Sequence, residues 1–426
     1  MNVVKVASAN SFGTAQAEAA PGYQEALAWL YSTQRFGIKL GLENIQRLLR
    51  ELSVPAKSQR IVHVAGTNGK GSVCAMIDAI GRAQGYRIGL FVSPHLITYR
   101  ERIRVDGEMI AEEDVAAGLT QIREMISNWE LHPTFFEITT ALGLMHFKRQ
   151  GCEVIVLETG LGGRLDATNA VTPVVSVITP ISYDHQAWLG NRLEEIAGEK
   201  AGIIQPRIPV VSAPQELTAD AVIRARAIEC EAPLQFIEQP YTTSSLGLTG
   251  AHQKQNAAVA VAALKCGGIA VNQEAIRRGL ASVDWPARFQ YWDERTILDG
   301  AHNPAGAGVL CKTWREQFGT SRATIILAVL RDKDIAGIWR ELAPVTDFVL
   351  FPRIRSERAL LPEAAAKIVT GITPTLQYSL PASIREAFDQ ARTRPNPILL
   401  TGSLHFAGEA LAVLKGDTAA FEECTQ

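Results

Sequence analysis

Val64-Ala65-Gly66-Thr67-Asn68-Gly69-Lys70-Gly71-Ser72-Val73 is the stretch on which the reading of this chain turns. Ahead of it, Ile61 to Ala65 is an apolar run of strand length. Behind it, Val73, Met76, Ile77 and Ile80 fall at i, i+3, i+4 and i+7, one face of a helix. Strand, glycine-rich turn and helix together make a phosphate cradle. Glycines let backbone N–H groups close on phosphate oxygens, and the helix N-terminus adds unpaired donors and a positive dipole end. Lys70 would reach the β/γ-phosphates as a point charge. The general pattern asks for four residues between the first Gly and the Gly-Lys pair, then Ser or Thr at once. Here only Thr67 and Asn68 intervene, and Gly71 separates Lys70 from Ser72. On spacing alone, nucleotide binding and a plain tight turn both stay open.

Composition narrows the class. A chain of 426 residues is long for one core, which favours two domains. Apolar content of 47% and charged content of 20% are those of an ordinary globular protein. With 42 basic against 44 acidic residues the net charge is −2, which removes any global electrostatic case for nucleic acid or an anionic membrane. The cysteines at 74, 152, 230, 266, 311 and 424 form no C-x-x-C pair and read as buried thiols in a reducing cytoplasm. No apolar run reaches spanning length. The first twenty residues lack a basic region followed by an apolar one, so they read as a flexible tail and not a signal peptide.

Further along, polar groups gather at predicted strand ends. Arg87 to Val92 reads as a strand ending in Ser93-Pro94-His95-Leu96, with the charged run Tyr99 to Gly107 read as a solvated loop. Ser93 is either a turn residue or a hydroxyl ligand for a metal beside phosphates. Thr134-Phe135-Phe136-Glu137 leads into an apolar helix, and its paired aromatics are core or a ring-stacking site. Val154 to Glu158 is a strand with its carboxylate at the C-terminal end, the edge where ligands bind in parallel sheets. Thr159-Gly160-Leu161-Gly162-Gly163-Arg164-Leu165-Asp166-Ala167-Thr168-Asn169 follows. Strands are also predicted at Val174 to Ile178 and Ile208 to Ser212. Asp184-His185 and Glu199-Lys200-Ala201-Gly202-Ile203 lie between them. Residues 213–249 carry no readable motif. A second α/β pattern begins near Thr296, with Asp299-Gly300-Ala301-His302-Asn303-Pro304 again at a strand end. Leu310, Trp314 and Phe318 mark a helix face, and further strands are predicted at Thr324 to Leu330, Phe348 to Phe351 and Ile398 to Thr401.

Taken together these strings resemble the folylpolyglutamate synthase/dihydrofolate synthase family, relatives of the Mur ligases. The likeness rests on GTNGKGS, SPHL…ERIRVDG, TFFE, GLGGRLDATN, DHQ…EKAGI, DGAHNP, Asp332-Lys333-Asp334 and Gly402-Ser403-Leu404-His405. It runs from about residue 23 to 412 with the blocks in order. The resemblance implies an α/β fold: a P-loop, Mur-ligase-like domain over 1–284 and a smaller Rossmann-like domain over 285–426, hinged near Asp284-Trp285-Pro286-Ala287-Arg288. It implies that Gly66, Thr67, Asn68, Gly69, Lys70, Gly71, Ser72, Asn256, Arg288 and Asp299 hold ATP. Two Mg²⁺ ions would lie on Ser93, Glu158, His185 and Lys200, with Lys200 carbamylated by CO₂. A carbamate turns a cationic arm into an oxygen-bearing anion suited to a hard cation. Thr134, Phe135, Phe136, Glu137, Arg164, Leu165, Asp166 and Ala167 would face the pterin, and His302 and Ser403 the incoming glutamate, with Lys70, Lys200, Asp299 and His302 catalytic. Three positions depart from the family: Ala287 where glycine is common, Gln290 where an acid is, and His405 where tyrosine is.

The reaction so implied is ATP-dependent joining of L-glutamate to dihydropteroate or a reduced folate through an acyl phosphate. Two narrower or different readings stand beside it: a folylpolyglutamate synthase without dihydrofolate synthase activity, and a P-loop phosphotransferase or nucleotide-binding regulator. The last would not need Glu158, His185 and Lys200 together. A cell-wall Mur ligase would place a further domain of about 100 residues before the loop, and Gly66 leaves no room for one. The expected partners are small molecules, with neither nucleic acid nor membrane, and the expected state is a cytoplasmic monomer.

Overall fold

Buried on both faces, the strands around the glycine loop are continuous apolar runs, as a parallel sheet covered by helices requires. The computed structural model describes residues 22–36, 41–419 and 421–422. The expected N-terminal tail, part of the loop before Gly41 and Cys424 lie outside the described residues. The first sheet contains β1 (Arg60–Ala65), β2 (Ile88–Phe91), β3 (Ile103–Val105), β4 (Glu108–Met109), β5 (Val154–Glu158), β6 (Val175–Ile178), β7 (Val210–Ser212) and β8 (Leu234–Phe236). Their order is β4-β3-β2-β5-β1-β6-β7-β8, antiparallel only at β3 and β4. β1 sits between β5 and β6, and Val64 pairs with Glu158. That register brings the carboxylate level with the start of the glycine loop.

The helix Lys70–Gln84 returns across this sheet and packs against Ala251–Cys266 and Gln273–Ser282. Val73, Met76, Ile77 and Ile80 are all buried in the cluster it forms with β1, β5 and β6. On the opposite face lie Tyr23–Ser32, Glu43–Leu52 and Phe135–Arg149, joined through Ile45, Leu48, Ile138 and Leu142.

A second sheet follows the expected hinge. It contains β9 (Gln290–Tyr291), β10 (Thr296–Leu298), β11 (Ala323–Leu327), β12 (Thr346–Leu350), β13 (Gln377–Ser379) and β14 (Ile398–Thr401). The order is β13-β12-β11-β14-β10-β9, and only β9 is antiparallel. Trp314 and Trp339 are fully buried in its core. No helix among the described residues is long and apolar enough to cross a membrane. The five described cysteines are unpaired, and all but Cys266 are buried.

One sequence expectation is corrected here, and one silent stretch acquires structure. The charged run after Ser93 is not a solvated loop. It forms a short helix, Tyr99–Arg102, and the β3–β4 hairpin, with Tyr99 and Arg102 fully buried. Its Ile103 and Val105 face the core, and period-2 alternation with Arg102 and Arg104 hid a strand inside a polar string. Residues 213–249, silent as sequence, hold the helix Leu217–Glu229 and β8, a short edge strand of intermediate exposure whose apolar signal is weak.

Candidate active site

Strand ends and helix starts converge on one cleft of about 1210 Å³ bordered by both sheets' loops. Every residue to which the resemblance gave a site role lines it, from Gly66 to Ser72, through Ser93, Thr134 to Glu137, Glu158 and Arg164 to Ala167, to His185, Lys200, Asn256, Arg288, Asp299, His302 and Ser403.

The loop after β1 is held from beneath. Thr67 and Asn68 donate their N–H groups to the Pro180 carbonyl at 3.0 and 3.2 Å. Gly66 and Gly69 have φ of 145° and 91°, which disfavour any side chain, and a Cβ at Gly66 would strike Thr179. Lys70 opens the helix, whose first N–H groups have no intrahelical acceptor. Its ammonium folds back on the Gly66 and Thr67 carbonyls at 3.3 and 3.4 Å. Asn256 lies against Gly69 and is held by Gln253 at 2.9 Å.

Lys200 ends the helix Leu193–Ala201 and is buried, donating to the Gly66 carbonyl at 2.9 Å. Burial, with the charge of Lys70 alongside, brings its ammonium down to about 7. The glycine string after β5 packs on this helix. A Cβ at Gly163 would lie 2.9 Å from the Glu199 carbonyl and 3.0 Å from that of Lys200. Arg164 is exposed and pairs with Glu199 at 2.7 Å.

Glu158 is buried, and burial pushes its carboxyl up against the opposing charge of Lys70. One oxygen accepts the Ser93 N–H at 3.1 Å. A buried carboxylate with an oxygen to spare, beside a serine hydroxyl and a cationic loop, suits a hard, oxygen-seeking cation. Burial holds His185 at about 4, so its imidazole is neutral and has a lone pair for a metal near neutral pH. No three His, Cys, Asp or Glu side chains already form a metal cage among the described residues.

Asp184, quoted beside His185 in the sequence but given no role there, joins the two sheets. Its carboxylate takes Lys333 at 2.6 Å, Asn303 at 3.0 Å and His302 at 3.2 Å. Burial raises this carboxyl. The hydrogen bond and charge of His302, with His185 and Lys333, outweigh that and hold it well below the carboxylate range. Asn303 and Asn68 exchange amide hydrogen bonds at 3.1 and 3.3 Å, tying the second sheet's helix start to the glycine loop. The other ring nitrogen of His302 donates to the Gly300 carbonyl at 2.9 Å. Asp299 accepts N–H bonds from Phe289 and Ala301, at 2.8 and 2.9 Å, and burial raises its carboxyl against the charge of Arg288.

The residues expected to face a ring play mixed parts. Thr134 and Glu137 form a reciprocal capping box on the helix Phe135–Arg149, and Glu137 also accepts the Ile45 N–H at 3.2 Å. Phe135 is core: it stacks on Tyr31 at 5.5 Å and meets Tyr99 edge-on at 6.3 Å. Phe136 is half-buried over Gly160. Asp166 accepts from Gly160, Leu161 and Thr168 N–H groups, at 2.9, 2.9 and 3.0 Å, and from the Thr168 hydroxyl. All four of its lone-pair positions are filled, so a ring N–H could bond it only by displacing one of these donors.

The departures have local explanations. Gln290 accepts the Ala287 N–H through its amide oxygen at 3.0 Å, the bond a carboxylate would make. Ala287 sits at φ 57°, a conformation glycine adopts without strain. Burial and Arg358 hold His405 at about 4, leaving it neutral in the cleft.

Comparison with known proteins follows this geometry. Residues 64–210 match the Mur ligase middle domain, and residues 287–404 the Mur ligase glutamate ligase domain. The dihydrofolate synthase/folylpolyglutamate synthase of Bacillus subtilis is 35% identical, over 92% of this chain and 99% of its own. E. coli FolC in complex with DHPP and ADP superposes with a TM-score of 0.83 at 31% identity, covering 93% of this chain and 99% of that one. A bifunctional folylpolyglutamate synthase/dihydrofolate synthase with Mn, AMPPNP and L-glutamate bound gives a TM-score of 0.82 at 29% identity, covering 93% and 100%.

Proposed function

The chain belongs to the dihydrofolate synthase/folylpolyglutamate synthase family of Mur ligases, and from that membership we propose how its cleft joins glutamate to a folate. It is an ATP-dependent, amide-forming ligase. Relatives are seen with ADP or AMPPNP and with Mn, so nucleotide and a divalent ion belong to the reading.

The glycine loop and Lys70 would receive the ATP phosphates, with Asn256, Arg288 and Asp299 on the nucleotide. An oxygen of the acceptor's carboxylate would attack the γ-phosphorus and release ADP. The glutamate amine would then attack the acyl carbon, lose its proton and expel phosphate. Divalent ions on Ser93, Glu158, His185 and carbamylated Lys200 would neutralise charge on the transferring phosphoryl group. Lys200 supports this reading chemically, because only a neutral amine attacks CO₂ and its value of about 7 leaves a large neutral fraction. His302 and Ser403 would hold the incoming glutamate. Asp184 fixes one ring nitrogen of His302 and Gly300 the other, so its ring is oriented before substrate arrives. The observation that carries the reading is that these groups, from both sheets, border a single cleft.

Bifunctionality is the finer claim. Phe136 over Gly160 offers a half-buried ring for a pterin. The filled hydrogen bonds of Asp166 favour the second reading, a synthase that only extends existing folates. Product analysis by mass spectrometry separates the two. With saturating ATP and glutamate, dihydropteroate should gain one glutamate and tetrahydrofolate should be extended. Extension of tetrahydrofolate with dihydropteroate untouched would leave only the narrower synthase, and neither product would overturn the assignment.

A further inference from the structure

Glu422 reaches back from the end of the described chain to the loop that bears Ser93. Its carboxylate accepts the Tyr99 N–H at 2.6 Å, the Thr98 hydroxyl at 3.2 Å and the Tyr23 hydroxyl at 3.1 and 3.2 Å. Its own N–H donates to the Ile97 carbonyl at 2.7 Å. Its carbonyl faces His95 Nε2 at 3.1 Å.

The protons in this chain of bonds follow from the donors. Arg102 Nε can only donate, and it lies 2.9 Å from His95 Nδ1. Nδ1 must therefore accept, and Nε2 carries the proton that Glu422 receives. Arg102 is fully buried with its guanidinium 5.5 Å from the Phe135 ring centre, at the start of the TFFE helix. The same loop is pressed from the other side. Leu96 and Ile97 pack on the cluster containing Phe406, Ala407 and Leu411, and the Leu96 carbonyl lies where a Cβ on Gly408 would be. These residues belong to the helix Leu404–Lys415, which starts directly after Ser403 and leads into the tail.

We propose that Glu422 is a positioning residue for the metal and folate side of the cleft. It fixes the Ser93–Arg102 segment against the helix Leu404–Lys415, and so sets Ser93 beside Glu158 and Arg102 against Phe135. One tail carboxylate couples the loop bearing the candidate metal hydroxyl to the helix that begins at the candidate glutamate contact. The kinetic half of this inference rests on the ligase reading; the structural half does not.

The test compares full-length Glu422→Ala and Glu422→Gln with the unaltered chain. In hydrogen exchange, measured without turnover, amides of residues 93–104 should exchange faster in Glu422→Ala while the strands of both sheets keep their protection. In kinetics, the Mg²⁺ needed for half-maximal turnover and the KM for the folate acid should each rise about tenfold, the worth of one of the three charge-assisted bonds lost. kcat should change less, by no more than about threefold. Glu422→Gln keeps the backbone bonds and the bulk, so it should recover part of the difference. Unchanged exchange over 93–104 would overturn the proposal. So would a fall in kcat and thermal stability with the Mg²⁺ requirement and KM unchanged, the mark of a merely structural residue. Should Glu422→Ala fail to fold, Glu422→Gln carries the test, with about a threefold rise in the Mg²⁺ requirement expected and a wild-type value overturning it. A chain that never ligated glutamate would still give the exchange result, so the two readings fail separately.

Discussion

Lys200 and Asp184 are buried charges with opposite histories, and each makes a prediction at the scale of one residue. Lys200 falls from an ordinary value of 10.5 to about 7, by burial and by Lys70. Its folded value lies below its unfolded one, so between those two pH values the unfolded chain holds the extra proton. Stability of the unmodified protein should therefore climb with pH from about 7 towards the ordinary lysine range, and Lys200→Met should flatten that slope in urea titrations. The neutral amine grows over the same lower edge. Protein equilibrated with ¹³C-labelled bicarbonate should show a carbamate carbon resonance that strengthens as pH rises through 7 and is missing in Lys200→Met, which should also lose turnover. Asp184 instead keeps its charge through His302, with His185 and Lys333 beside it, and the Lys333 side chain is 8% exposed against 6% for its own. Lys333→Met leaves that carboxylate short of a cation and should cost about 3 kcal/mol in urea unfolding. At this scale the resemblance pointed to Lys70, Glu158 and Lys200, and the structure brings all three to one cleft. Asp184 escaped because its role depends on Lys333 and Asn303, more than a hundred residues away, which no local pattern connects.

Elements place these residues, and two of them can be loosened singly. Gly163 lets the loop after β5 lie on the carbonyls of Glu199 and Lys200. Gly163→Ala forces the loop off the helix that carries Lys200. It should cost about 1–3 kcal/mol in thermal unfolding and weaken the carbamate signal along with turnover. Thr134→Ala removes half of a capping box and should cost about 1 kcal/mol, read as a lower melting temperature. That box was present in the sequence as T-x-x-E before an apolar run, yet the paired phenylalanines drew the reading towards a ring site. The structure divides them, Phe135 to the core and Phe136 to the cleft wall. The inner parallel strands were legible because burial on both faces makes them continuously apolar, whereas the exposed parallel edge strand β13 was not. β8 and the β3–β4 hairpin were not, since strands at or near a sheet edge alternate or shorten.

For the whole molecule the question is how two α/β units make one site. The division expected near residue 284 leaves one sheet on each side. Asn68 with Asn303, and Asp184 with Lys333 and His302, join them across the cleft. A double-mutant cycle on Asn68→Ala and Asn303→Ala should give a coupling energy of about 1 kcal/mol or more in unfolding, against near additivity for sites that do not touch. Fold class was legible from the strand and helix pattern together with the resemblance, and a site shared by both domains was expected; the amide pair that joins them was not, because both asparagines look like loop residues in sequence. The central claim is that both units serve a single acyl-transfer chemistry. The most direct measurement supplies the folate acid with oxygen-18 in its reacting carboxylate, together with ATP and L-glutamate, and analyses the phosphate released. The account predicts one labelled oxygen in inorganic phosphate for each amide formed, because that oxygen is carried across in the acyl phosphate. Unlabelled phosphate, or phosphate released at the same rate without acceptor or glutamate, would contradict it.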